Sequence, residues 1–221
     1  MYLGTGCKTR TRPAQPGGYG RFMSVDVVAE LPRPVSLASV MGCAAGALTE
    51  LLGLDRAPEM TVFEGWRTEN DSKAPPRRSL TGEDLEATMI GVRIPPEEGQ
   101  TAGSVEFEIG LAGKEDRAFA MVIDLTGVQG AEPRVEAVVS PTRTCVGVVL
   151  ATSVALGAAT VSGGAFVDIE IAMLDARDWD PGRFIEAARL TGGAGPFEER
   201  CERFMRQFAG LGGWPRDRSA N

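Results

Sequence analysis

A chain of 221 residues, 43% hydrophobic and 24% charged, has the make-up of one large soluble domain or two small ones, which excludes collagen-like, bulk-disordered and disulfide-dense architectures. It contains no histidine, so Ser-His-Asp and Cys-His hydrolases and His-ligated zinc or iron centres are excluded. The net charge of −7 is uneven: residues 1–22 hold Lys8, Arg10, Arg12 and Arg21 and no acid, which leaves −11 on the remainder, and an acidic body repels phosphate backbones and argues against nucleic acid as the ligand.

Residues 1–22 are rich in Gly, Pro, Thr and Arg and have no apolar run of the kind a signal peptide needs. They are expected to be a disordered basic tail ahead of a single domain over 23–211, with 212–221 as a frayed end. A strand is expected over Ser24–Leu31, ended by Pro32, then a helix over Pro34–Leu52 with Pro34 in its first turn and Gly53 as a left-handed cap. A strand over Met60–Trp66 leads into a long polar loop, Arg67–Leu80, and Thr81 with Asp84 caps a short helical turn. Thr88–Ile94 is expected as a strand closed by Pro95-Pro96.

Ser104–Leu111 alternates, with Val105, Phe107, Ile109 and Leu111 facing one way and Glu106 and Glu108 the other. Gly113–Asp116 turns it into a partner strand, Arg117–Leu125, which makes a hairpin. A strand over Arg134–Ser140 and a helix over Thr144–Thr160 follow. Ala165–Leu174 is expected as a strand with Val167, Ile169, Ile171 and Met173 opposite Asp168 and Glu170. Asp180-Pro181 caps and opens a helix to Leu190. Pro196–Ala209 is the clearest amphipathic helix, with Phe197, Cys201, Phe204, Met205 and Phe208 in one stripe.

Segments 24–66 and 134–174 both read strand, small-residue helix, strand, at an offset of 110, which suggests a duplication. The two strands of each unit would then be parallel neighbours or nearly so. Together with the antiparallel hairpin this predicts an α+β, two-layer fold: a mixed sheet with helices mainly on one face. Residues 144–167 carry no charge for 24 positions, enough to span a bilayer, but they are mostly Ala, Gly, Ser, Thr and Val, so a buried helix and strand are favoured over a membrane span.

No motif carries a reaction. The four cysteines form no C-x-x-C pair, and Cys43 and Cys145 sit in apolar runs as core residues. Cys201 falls on the apolar stripe of the last helix, and the disulfide status of all three is open. Asp168 and Glu170, on one strand face about 7 Å apart, could do acid–base work or hold a hard cation. A solvated face is the plainer reading, and no cofactor or metal is expected. Trp66 and Trp179 each follow the second strand of a unit and would lie near one edge of the sheet. The favoured function is a non-catalytic binding or accessory protein of a bacterial-type cytosol. It would meet a protein partner through the acidic strand faces (Glu106, Glu108, Asp168, Glu170) or the Trp66/Trp179 edge. The alternatives are a small-molecule domain with a pocket between the two units, and a carboxylate or divalent-cation enzyme.

Overall fold

Local signals place most element boundaries. The computed structural model describes residues 25–65, 78–97, 99–168, 170–176, 178–192 and 194–208. The expected tail 1–22, the expected frayed end 212–221 and residues 67–77 of the expected loop lie outside the described residues. In chain order the elements are β1 (Val27–Glu30), β2 (Val35–Ser36), α1 (Leu37–Leu52), β3 (Met60–Glu64), β4 (Arg78–Leu80), α2 (Gly82–Ala87), β5 (Met89–Ile90), β6 (Gly103–Leu111), β7 (Arg117–Asp124), β8 (Val135–Pro141), α3 (Cys145–Ser162), β9 (Phe166–Asp168), β10 (Asp178–Trp179), α4 (Pro181–Ala188) and α5 (Phe197–Arg206).

The helices begin and end where cap chemistry puts them. Ser36 caps α1 by accepting from the Ser39 N–H at 3.2 Å, and Gly53 closes it at φ 61°, a left-handed conformation that glycine adopts without steric cost. Thr144 caps α3 by accepting from Gly147 N–H, and Gly163 closes it. Asp180 accepts from Arg183 N–H, with Pro181 in the first turn of α4. Pro34 is not in a helix: the chain there enters β2, whose Val35 and Ser36 pair with Ile90 and Met89, so the helix starts three residues later than expected, at Leu37.

Among the described residues, eight strands form one sheet in the order β10-β9-β1-β8-β7-β6-β3-β4, and each neighbouring pair is antiparallel. Its inner side is lined by Val27, Ala29, Phe107, Ile109, Leu111, Ala118, Ala120, Val122, Ala137, Val139 and Phe166, which share one buried cluster with residues of α1, α3, α4 and α5. The result is the expected two-layer α+β arrangement with helices on one side. α3 packs on β1, β7, β8 and β9 and is flanked by α1, α4 and α5. It buries 16 of its 18 residues. It is long and apolar enough to cross a membrane, yet 83% of that apolar window is buried inside the protein, as in a core helix.

α1 and α3 approach closely because glycine stands at the contact: a Cβ on Gly157 would lie 2.6 Å from the Ala44 nitrogen and 2.7 Å from the Val40 oxygen. β1–α1–β3 and β8–α3–β9 do share the strand–helix–strand order, but the sheet does not establish a duplication. β9 is separated from β8 only by β1, whereas β8, β7 and β6 all lie between β1 and β3. Both strand pairs run parallel, but neither pair is adjacent.

Candidate functional site

Alternation along a strand sends neighbouring side chains to opposite sides of the sheet. The side of the sheet away from the helices is therefore built from residues between the core positions. Register places Val167, Val28, Val138 and Met121 side by side across β9, β1, β8 and β7, with Glu106 next in line on β6. At one strand spacing per step this apolar row is about 14 Å long. Its four members are half-buried, and none belongs to the core cluster or packs against it. The adjacent row holds Glu30 and Glu136 directly opposite each other, then Ile123. On the other flank Asp26 accepts from the Ser140 hydroxyl at 2.6 Å, and the Asp26 N–H donates to Glu170 at 3.0 Å.

This face is apolar in the middle, and its flanks mix the acids Glu30, Glu136, Glu106 and Asp26 with Ile123, Ser140 and Phe119. Directly opposed like charges on a sheet cost stability. Glu136 is offset by Arg134, whose Nε lies 2.9 Å from its carboxylate, while Glu30 is exposed. Partial burial pushes the Glu106 carboxyl above the ordinary glutamate range.

The structure divides the residues singled out from the sequence. Glu106 stands on the open face. Glu108 is on the same side of β6 but is only 4% exposed, paired with Arg117 at 3.2 Å. Arg117 in turn donates to the carbonyls of Lys114 and Asp116, so this pair ties the β6–β7 turn together. Glu170 is exposed at the end of the row, beside Asp26.

Asp168 overturns the expected alternation of 165–174. It lies opposite Val27, on the helix side, and is 2% exposed. The strand stops at Asp168 because its carboxylate organises the turn that follows. One oxygen accepts from the Ile171 and Ala172 N–H groups at 3.0 and 2.9 Å, and the other from Met173 N–H at 2.7 Å. Ala172 is held there at φ 53°, a left-handed conformation that carries backbone strain in a non-glycine residue. Desolvation raises the Asp168 pKa, and the three N–H donors only partly oppose it. Asp168 and Glu170 thus form no carboxylate pair. Asp168 is spent on the backbone, and Glu170 faces solvent.

Trp179 lies on β10 at one end of the sheet, and β3 is second from the other end. Trp66 itself lies outside the described residues. Trp179 covers the core edge: its ring meets Phe184 edge-on at 5.9 Å, Phe184 meets Phe166 at 4.6 Å, and its Nε1 donates to Ala176 O. Among the described residues no group of three Cys, Asp or Glu side chains is placed to hold a metal ion. The residues that sequence reasoning passed over are Val28, Val138, Met121 and Val167. Their alternation was visible, but only the sheet order aligns them in one row. Comparison with known protein families, with curated proteins and with solved structures returns no match to this chain.

Proposed function

We propose that this chain is a non-catalytic binding or accessory protein that engages a basic protein partner through the open face of its sheet. The observation that carries this reading is the apolar row Val167–Val28–Val138–Met121 on the side away from the helices, bordered by Glu106, Glu30 and Glu136. Apolar contact in the centre with charge at the rim is the anatomy of a protein interface. The rim supplies steering toward a cationic surface. Cys43 and Cys201 are free thiols, the state a reducing cytosol maintains, which is where the proposal places the protein.

The test is capture of partners from the native host with the natural chain and with Glu30→Lys/Glu106→Lys. Slower, less salt-sensitive association by the variant, with its melting unchanged, is the expected result. Recovery of no partner by the natural chain, together with tight binding or turnover of a small molecule, would overturn the reading.

A further inference from the structure

We propose that the chain's own basic segment, residues 1–22, is an internal ligand of this open face, docking along the Val167–Val28–Val138–Met121 row and competing with an external partner. The inference rests on the reading of that face as a binding site, and it adds regulation to it.

Four observations converge on this occupant. The first is attachment. The segment joins the described chain just before β1, which is third in an eight-stranded sheet and contributes Val28 to the centre of the row. Asp26, two residues before Val28, already stands on the open side. The second is reach. Twenty-two residues can extend about 70 Å, while the full width of the sheet is seven strand spacings, about 34 Å. The third is charge. Residues 1–22 hold four cations and no anion, and the face presents Glu30, Glu106 and Glu136 with Asp26 and Glu170 at its flank. The fourth is apolar content: Tyr2, Leu3, Tyr19 and Phe22 supply side chains that an aliphatic row can cover.

Tethering makes weak contacts sufficient. A segment tethered beside the face is held at an effective concentration on the order of millimolar, so an intrinsic affinity of about 100 μM would keep the face roughly nine-tenths occupied. A second copy of the chain fits less well, because face-to-face pairing would set Glu30, Glu106 and Glu136 against their own kind.

The experiment uses the full chain. Trypsin cleavage after Arg21 is timed at low salt in the natural chain and in Glu30→Lys/Glu106→Lys. The milder Glu30→Gln/Glu106→Gln is the second variant should the first fail to fold, and a free synthetic peptide of residues 15–27 is the unprotected reference. The natural chain should be cut at least about tenfold more slowly than the free peptide, with the protection lost in the variants and at about 0.5 M salt. Cleavage of the natural chain at the free-peptide rate overturns the inference. So does protection that grows with protein concentration, since that identifies a second copy as the occupant.

An independent readout is the methyl resonance of Met121. It should move when Lys8, Arg10 and Arg12 are together changed to Glu, and an unmoved resonance overturns the inference. Absent protection with partner capture still sensitive to Glu30→Lys/Glu106→Lys would remove this inference and leave the binding reading. Protection with no partner ever captured would do the reverse.

Discussion

Val27 and Val28 are consecutive residues of one strand, with the same side chain and opposite fates. Val27 points toward the helices and is 0% exposed, packed in the core cluster. Val28 points away and is half-buried between Val138 and Val167, with no core contact. The same division runs across the sheet: Val122 against Met121, Val139 against Val138. The inner side is packed so closely that glycine is required where α1 meets α3, whereas the outer side keeps apolar residues and a like-charge pair that the fold itself does not use. Aliphatic side chains on an open face do little for folding, and they gain most when something else covers them.

That contrast is sharpest at Gly157. A Cβ there would press on the backbone of Ala44 and Val40, which cannot swing aside as a side chain could. Gly157→Ala should cost about 3 kcal/mol and lower the melting temperature by roughly 6–12 °C, read by calorimetry. An unchanged melt would show that α1 and α3 can separate freely. The next largest effect is at Ala155, fully buried in α3, where Ala155→Leu should overpack the core by about 2 kcal/mol. The matching change at Ala45, on the half-exposed side of α1, should stay below about 0.5 kcal/mol in chemical denaturation. Equal costs at both positions would erase the distinction between the two helices.

Asp168, the carboxylate on the inner side, should show itself through pH. Its folded-state pKa is raised, so the folded chain holds a proton that the unfolded chain has already lost. Its contribution is therefore fully present below the ordinary aspartate range and declines as pH rises from there to the raised value. Asp168→Asn puts an amide donor against an N–H that the carboxylate now accepts, and should destabilise by about 1–2 kcal/mol. The difference between its stability–pH curve and that of the natural chain should carry the falling slope. Taking the difference cancels Asp124. Burial pushes the Asp124 pKa up, but hydrogen bonds from the Thr126 hydroxyl and from the N–H groups of Thr126 and Ile94, with the charge of Arg93, outweigh it and bring the pKa down, giving a slope of opposite sign. A flat difference curve would show that the 168–173 turn does not depend on the carboxylate. The smallest effects belong to the outer row. Val138→Thr and Met121→Gln should each change folding stability by no more than about 0.5 kcal/mol, while weakening any association through that face.

Much of this architecture is written in local chemistry. Thr144 and Gly163, Asp180 and Pro181, Ser36 and Gly53 mark helix ends because a side-chain acceptor at the start and a left-handed glycine at the end act within one turn of chain. The hairpin of β6 and β7 is legible for the same reason, since period-two alternation on both sides of a tight turn specifies its own register. β2, β4 and β10, each two or three residues long, are not legible, and β5 is only two residues of the strand expected over Thr88–Ile94, because strands that short have their identity from a partner rather than from propensity.

The face of Asp168 is not legible for a related reason. Period-two alternation runs on through Ile169 and Ile171 in the sequence, whereas the carboxylate closes a turn onto three backbone N–H groups and ends the strand at once. Local chemistry is enough for the α+β class, the caps, the central hairpin and the burial stripe of α5, all of which depend on residues within a few positions of one another. Long-range packing alone sets β1 between β8 and β9, lays α3 against both the sheet and three helices, and brings four apolar residues from distant segments into one row beside Glu30, Glu106 and Glu136. Those outcomes depend on which strands pair over long separations, and pairing choice is governed by the packing of whole layers rather than by any short stretch of chain.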